Sequence, residues 1–179
     1  MIRTAEQRDA SQVAAIYRPF CEDSCVSFET EAPDAAEIAT RIEATTRQFP
    51  WLVYDGDGGI AGYAYASKHR VRSTYRWVAE VTVYVQDAFH GKGVGRALYT
   101  ELFGRLRSQG YFKAYAGIVD PNPPSRGFHE AMGFRLVGMY RGVGYKLGAW
   151  RDVGWWQYDL QPVIDNPPEP RPPSTALAQ

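Results

Sequence analysis

The chain has 179 residues, 45% of them hydrophobic, with 20 basic and 20 acidic side chains and no net charge. That suits one ordinary domain with its own core, and the balanced charge argues against nucleic acid as the main partner, because such proteins carry a basic excess. No apolar run reaches the ~20 residues of a membrane span, and none near the N-terminus has signal-peptide length, so a cytoplasmic location without membrane contact is expected.

In chain order, Ile2–Glu6 is a strand candidate. Asp9 with Gln12 resembles a capping box, and Val13, Ile16 and Tyr17 follow at helical spacing, predicting a helix that ends near Pro19. Cys21 and Cys25 lie four apart with no His or further Cys beside them; they are expected to be reduced structural thiols, with no metal bound. Asp34, with Glu37 three residues on, opens a second helix reaching about Gln48. "WLVYD" and "IAGYAYASKH", joined by "GDGG", predict a hairpin. "YRWVAEVTVYV" predicts a longer strand of the same sheet. "GRALYTELFGRLRSQG" is a helix with Leu98, Leu102 and Leu106 on one face and Gly110 at its stop. "YFKAYAGIV" is a strand. Asn122 then caps a short helix with Pro123 in its first turn, and two strands follow near Phe134–Tyr145 and Val153–Leu160. The meander in the middle excludes a doubly wound parallel sheet and gives a mixed α/β (α+β) domain over residues 1–161. Residues 162–179 are proline-rich, and a disordered or extended tail is expected there.

The stretch "VTVYVQDAFHGKGVGRALY" joins a strand to a helix through three glycines and two basic residues. A helix start offers N–H groups without intrahelical partners and a partial positive charge. Glycines let a ligand approach the backbone, and Lys92 and Arg96 add charge, so the turn suits a phosphate-like anion. The spacing matches neither nucleotide motif. Lys92 precedes Gly93 rather than Ser or Thr, and Gly93-Val94-Gly95-Arg96-Ala97-Leu98 lacks the last glycine of G-x-G-x-x-G.

His90-Gly91-Lys92-Gly93-Val94-Gly95 resembles the [RQ]-x-x-G-x-[GA] signature of the GNAT acyltransferases, with His90 in the Arg or Gln position. Asn122-x-x-Ser125-x-x-Phe128-His129-x-x-x-Gly133-Phe134 resembles a second segment of that family. "VSFETE", "AEVTVYV" and "GYKLGAWRDVGWWQYDL" are similar to its phosphinothricin N-acetyltransferase branch. The resemblance covers roughly residues 1–160. It implies a mostly antiparallel central sheet flanked by helices, and acetyl-CoA as acetyl donor. The pantetheine arm would lie along the backbone of Val83, Tyr84 and Val85, as in strand addition. The pyrophosphate would sit on His90, Gly91, Lys92, Gly93, Val94, Gly95 and Arg96, with Asn122 and Ser125 near the arm.

An aliphatic amine of pKa ~10.4 is almost wholly protonated at neutral pH, so acetyl transfer to it needs a general base. Glu80 interrupts an apolar strand, where desolvation raises a carboxyl pKa. On its own it reads first as a solvated strand residue; the resemblance assigns it the base. His129 stands where many relatives carry a Tyr that protonates the thiolate, and acid, base and substrate contact all remain open for it. Arg70 and Arg72, with Lys68 nearby, are candidates to clamp an anionic acceptor; Phe28, Tyr75 and Tyr84 are candidate pocket walls. The implied activity is N-acetylation of a small amino-acid-like amine of the phosphinothricin, methionine sulfone or methionine sulfoximine type. Peptide N-termini, other amines and a non-catalytic acyl-CoA-binding module are the alternatives. The branch also implies a homodimer, packed through the aromatic C-terminal strands.

Overall fold

The computed structural model describes residues 1–173. The elements in order are β1 (Ile2–Thr4), α1 (Ala10–Glu22), α2 (Ala35–Thr46), β2 (Trp51–Gly56), β3 (Gly59–Lys68), β4 (Val78–Val85), α3 (Val94–Gln109), β5 (Lys113–Asp120), α4 (Pro123–Met132), β6 (Arg135–Lys146) and β7 (Ala149–Asp159). The strands form one sheet in the order β1-β2-β3-β4-β5-β7-β6. Only the β4–β5 pair is parallel. The expected mixed, mostly antiparallel α/β architecture is therefore the one observed. No helix is long and apolar enough to cross a membrane among the described residues.

Strand alternation feeds two cores. Leu52, Ala79 and Val81 face one side, where Leu98, Tyr99, Leu102 and Leu106 of α3 are buried. Trp51, Val53 and Tyr63 face the other, against Val13, Ile16 and Tyr17 of α1 and Ile38 and Ile42 of α2. The sheet is thus covered by α1 and α2 on one face and by α3 on the other, with Phe128 and Met132 of α4 packed against the first core, that of α3.

Local expectations differ from the structure in three places. The Asp9–Gln12 capping box does not form. Asp9 instead accepts from the Glu6 N–H at 2.8 Å and from the Arg3 guanidinium at 2.7 and 2.8 Å, while Gln12 Oε1 accepts from the Ile60 N–H at 2.8 Å. Asp9 closes a capping box with Glu6 one turn earlier, and the distant Ile60 N–H takes Gln12. Helix α1 runs past Pro19 to Glu22. A proline inside a helix costs about 3 kcal/mol, but the extra turn carries the fully buried Cys21 into the second core. Strand β4 starts at Val78, because Ser73–Tyr75 forms a 3-10 turn.

Residues 162–173 contain no helix or strand. The segment is held against the domain: the Trp77 indole N–H donates to Pro168 O at 2.8 Å, the Arg171 N–H to Gln109 O at 2.8 Å, and Gln109 Nε2 to Arg171 O at 2.8 Å. Arg76 and Glu169 form an ion pair. Prolines lack donors but keep their carbonyls, and a carbonyl is what Trp77 uses. The rest of the proline-rich tail, 174–179, lies outside the described residues.

Candidate active site

The site begins where β4 and β5 part. Their pairing covers only Val78–Glu80 against Lys113–Tyr115, while β4 stays paired with β3 as far as Val85↔Gly62. The Gln86 N–H donates to Ala61 O across β3 at 2.9 Å. Alternation in an antiparallel pair then turns the main-chain groups of Tyr84 toward β3 and those of Val83 and Val85 toward the gap. The edge available for an added strand is therefore Val83 and Val85. The Tyr84 backbone, expected to share that contact, is committed to Tyr63 instead.

The glycine turn closes the same gap. Gly93 is the N-cap of α3 with φ 81, and Gly91 has φ 71. Both are left-handed conformations that favour glycine. The first intrahelical bond is Ala97 N–H to Gly93 O at 3.0 Å, and no side chain caps the helix. The Val94, Gly95 and Arg96 N–H groups thus stand without partners among the described residues, at the positive end of a sixteen-residue helix. Gly95 lets α4 approach: a Cβ there would lie 3.3 Å from the Phe128 ring.

These elements enclose a groove of about 460 Å³. Its lining unites Val83, Tyr84, Val85, His90, Gly91, Gly93, Val94, Gly95, Arg96, Asn122, Ser125 and His129. Lys92 is not part of the lining; its ammonium lies 5.3 Å from the centre of the Phe89 ring. His90 lines the groove, but its Nε2 lies 2.9 Å from Val85 O, so the ring ties the turn to β4. Asn122 Oδ1 accepts from the Ser125 N–H at 3.2 Å, the expected cap of α4. A larger cavity of about 600 Å³ between α4 and β5–β7 includes only Asn122 of the predicted site. Its three arginines, Arg126, Arg135 and Arg141, are each paired with a carboxylate.

His129 is buried, with both ring nitrogens occupied. Nδ1 lies 2.8 Å from Ser125 O, which only an N–H can satisfy, so Nε2 is the acceptor for the Tyr99 hydroxyl at 3.1 Å. Burial pushes the imidazole pKa down, and the Ser125 carbonyl offsets this in part. The ring is neutral at pH 7 and carries no proton free to donate. Tyr99 is fully buried on the core face of α3; nothing in the sequence separates it from an ordinary core aromatic.

Glu80 lies on β4 three residues before Val83, about 10 Å along the strand. Its side chain is 32% exposed. Burial raises its pKa, and the nearby Arg70 charge opposes this. His69 Nδ1 is 3.4 Å from Glu80 Oε2 but lacks hydrogen-bond geometry, and it is a buried nitrogen with no partner. His69 stacks on Tyr115 at 4.6 Å. Sequence reasoning passed over it, although it sits inside the basic run Lys68–Arg72.

The proposed acceptor residues behave differently from one another. Arg70 is tethered: it donates to His69 O at 2.8 Å and to the Tyr140 hydroxyl at 3.4 Å, and lies 5.1 Å from the Trp155 ring centre. Arg72 is exposed, and its guanidinium has no hydrogen bond or ion pair among the described residues. The half-exposed Tyr75 has its ring 6.3 Å from that of His69. Phe28 is 41% exposed and lies flat on Gly144, where a Cβ would come within 2.3 Å of its ring. The Tyr84 ring packs between Tyr17 and Phe20, at 4.9 and 4.8 Å, so it serves the core as well as the groove.

Comparison with known proteins agrees with this geometry. Residues 2–155 match the family model described as an acetyltransferase (GNAT) domain. A phosphinothricin N-acetyltransferase of Streptomyces viridochromogenes is 39% identical over 98% of this chain and 95% of its own. An L-methionine sulfoximine/L-methionine sulfone acetyltransferase of Pseudomonas paraeruginosa is 33% identical, covering 93% of this chain and 98% of its own. The crystal structure of a phosphinothricin acetyltransferase from Sinorhizobium meliloti in complex with acetyl-CoA superposes with a TM-score of 0.85. It is 33% identical and covers 93% of this chain and 94% of its own. A mixed sheet parted at β4 and β5, with an uncapped glycine-led helix at the opening, thus belongs to a chain that is a member of the GNAT family and an acetyl-CoA-dependent N-acetyltransferase.

Proposed function

We propose that this enzyme acetylates the amino group of a small free amino acid with an anionic or strongly polar side chain, of the phosphinothricin, methionine sulfone or methionine sulfoximine type. The observation that carries this reading is the half-buried Glu80 carboxylate on the same strand as the Val83–Val85 edge, with the unpaired Arg72 on the loop leading into that strand.

Acetyl-CoA supplies an activated acyl group as a thioester. The residues of the groove fit it. The main-chain edge of Val83 and the Val85 N–H suit the amides of a pantetheine arm, Val85 O being held by His90 Nε2, and the Val94, Gly95 and Arg96 N–H groups with the Arg96 charge suit a diphosphate. Glu80 takes the proton from the acceptor ammonium, directly or through water, so that the neutral nitrogen attacks the thioester carbonyl. A raised pKa makes the carboxylate a better base, at the cost of being ionised only at higher pH. His129, neutral and anchored to Ser125 and Tyr99, shapes the groove wall rather than delivering a proton. A thiol of pKa ~8.5 leaves well without an acid.

Thiol release from acetyl-CoA across a panel of amines tests the assignment. The fastest turnover is expected with amino acids bearing anionic or sulfonyl-type side chains. A preference for peptide N-termini or polyamines would overturn the acceptor class, and saturable CoA binding without turnover would leave only a binding module. Arg72→Ala is expected to raise the acceptor KM about tenfold or more, because a charge-assisted bidentate contact is lost, with CoA affinity unchanged. An unaltered acceptor KM removes Arg72 from the acceptor site.

We also assign the enzyme to the cytoplasm, where its donor is made and used, and to a homodimer. Strand β6 is an edge of the sheet. It, the turn to β7 and the start of β7 expose Val137, Tyr140, Val143, Tyr145, Leu147 and Trp150, apolar side chains of the kind that mark an interaction surface. Sedimentation at micromolar concentration is expected to give twice the 20.1 kDa chain mass; a single-chain mass would refute the dimer.

A further inference from the structure

His69 Nδ1 is, like Trp155 Nε1 beside it, a buried polar atom without a partner among the described residues. The His69 side chain is 10% exposed. An orphaned buried nitrogen is costly, and natural proteins retain one where it has work to do. The groups packed around it come from five places: Arg70 beside it in the chain, Tyr75 from the 3-10 turn, Glu80 from β4, Tyr115 from β5 and Trp155 from β7. Of these, only Glu80 is an anion. Tyr115 presents its ring face at 4.6 Å and spends its hydroxyl on Gln157 Oε1 at 3.0 Å. The Arg70 guanidinium bonds His69 O and cannot accept a proton. The stacking and the edge-on Trp155 ring at 5.4 Å fix the imidazole plane, and Glu80 Oε2 lies 3.4 Å from Nδ1, within a small rotation of hydrogen-bond geometry.

We propose that His69 is the positioning residue of the general base: its Nδ1–H closes onto Glu80 Oε2, orients the carboxylate toward the acceptor nitrogen and favours its ionised form. The inference rests on Glu80 being the base. Two effects on Glu80 then oppose each other. Burial disfavours the carboxylate, and the His69 donor together with the Arg70 charge restores it. The neutral imidazole is the form that serves, since burial and Arg70 both hold its pKa down. Nδ1–H is the tautomer that an adjacent carboxylate selects.

The test compares pH profiles of kcat/KM. His69→Phe keeps an aromatic ring on Tyr115 and removes the donor. Its acid limb is expected to move up by about one pH unit, which makes it about tenfold slower on the acid side while converging with wild type near pH 9. His69→Asn places an amide N–H at the Nδ1 position and is expected to return the limb toward wild type. A limb that does not move in His69→Phe, or that moves equally in His69→Asn, overturns the proposal. Nitrogen NMR of the wild-type ring at pH 8 is a second readout independent of how the variants fold: the Nδ1–H tautomer is expected, and an Nε2–H tautomer overturns the proposal. Glu80→Gln separates the two levels. If it retains full activity, the base assignment itself fails; if it is inactive while His69→Phe keeps the wild-type limb, only the role of His69 fails.

Discussion

Glu80→Ala is expected to lower kcat at pH 7 by about a hundredfold while leaving CoA affinity within about twofold. The size follows from what a positioned base contributes, ~10²–10⁴-fold, taken at its lower end because solvent reaches a third-exposed site and water can substitute in part. Affinity is spared because Glu80 lies outside the groove lining and the Val83–Val85 edge is set by pairing with β3, which an Ala at position 80 leaves intact. Raising the pH to about 9.5 should recover much of the loss with an amine acceptor, because the neutral nitrogen then forms without help. A variant with an undiminished rate at pH 7 would remove Glu80 from the mechanism.

Gly93→Val is expected to do the opposite: to abolish measurable saturation with acetyl-CoA, a loss of more than about tenfold in affinity. At φ 81 a β-branched residue pays roughly 1–2 kcal/mol for the left-handed conformation. It will relieve this by unwinding the first turn of α3, which moves the Val94, Gly95 and Arg96 N–H groups out of alignment. No packed neighbour is involved, since a Cβ at Gly93 meets nothing within 4 Å, so global stability should fall only by about that strain. Equilibrium dialysis with CoA and a thermal melt check the two halves separately. Wild-type affinity in a folded Gly93→Val protein would show that the helix start does not hold the diphosphate.

The groove and the dyad differ in how far the linear chain reveals them. The Gly91–Arg96 turn and the strand before it are contiguous, so their suitability for an anion is legible locally, from glycines, basic residues and a helix start, while the cofactor itself came from the family resemblance. Asn122 as the cap of α4 is local in the same way. The pairing of His69 with Glu80 is not. It depends on the antiparallel register that sets Ser67 opposite Glu80 and on Tyr115 arriving from β5 to fix the ring. Of the partners of His129, Ser125 is local, one turn back on α4, whereas Tyr99 comes from α3.

The sequence by itself determined the order and type of the elements, because propensity and periodicity are written in neighbouring residues, and its resemblance to a family named the donor; the turn as an anion site and Glu80 as the base are readings that the same residues suggested and that the predicted variants test. The tertiary structure alone decided which backbone groups of β4 face the gap, that the Arg70 guanidinium is tied while that of Arg72 has no partner among the described residues, and that His69 comes to within 3.4 Å of Glu80. Register, burial and hydrogen-bond competition arise only when distant segments pack, and no local pattern encodes which partner wins.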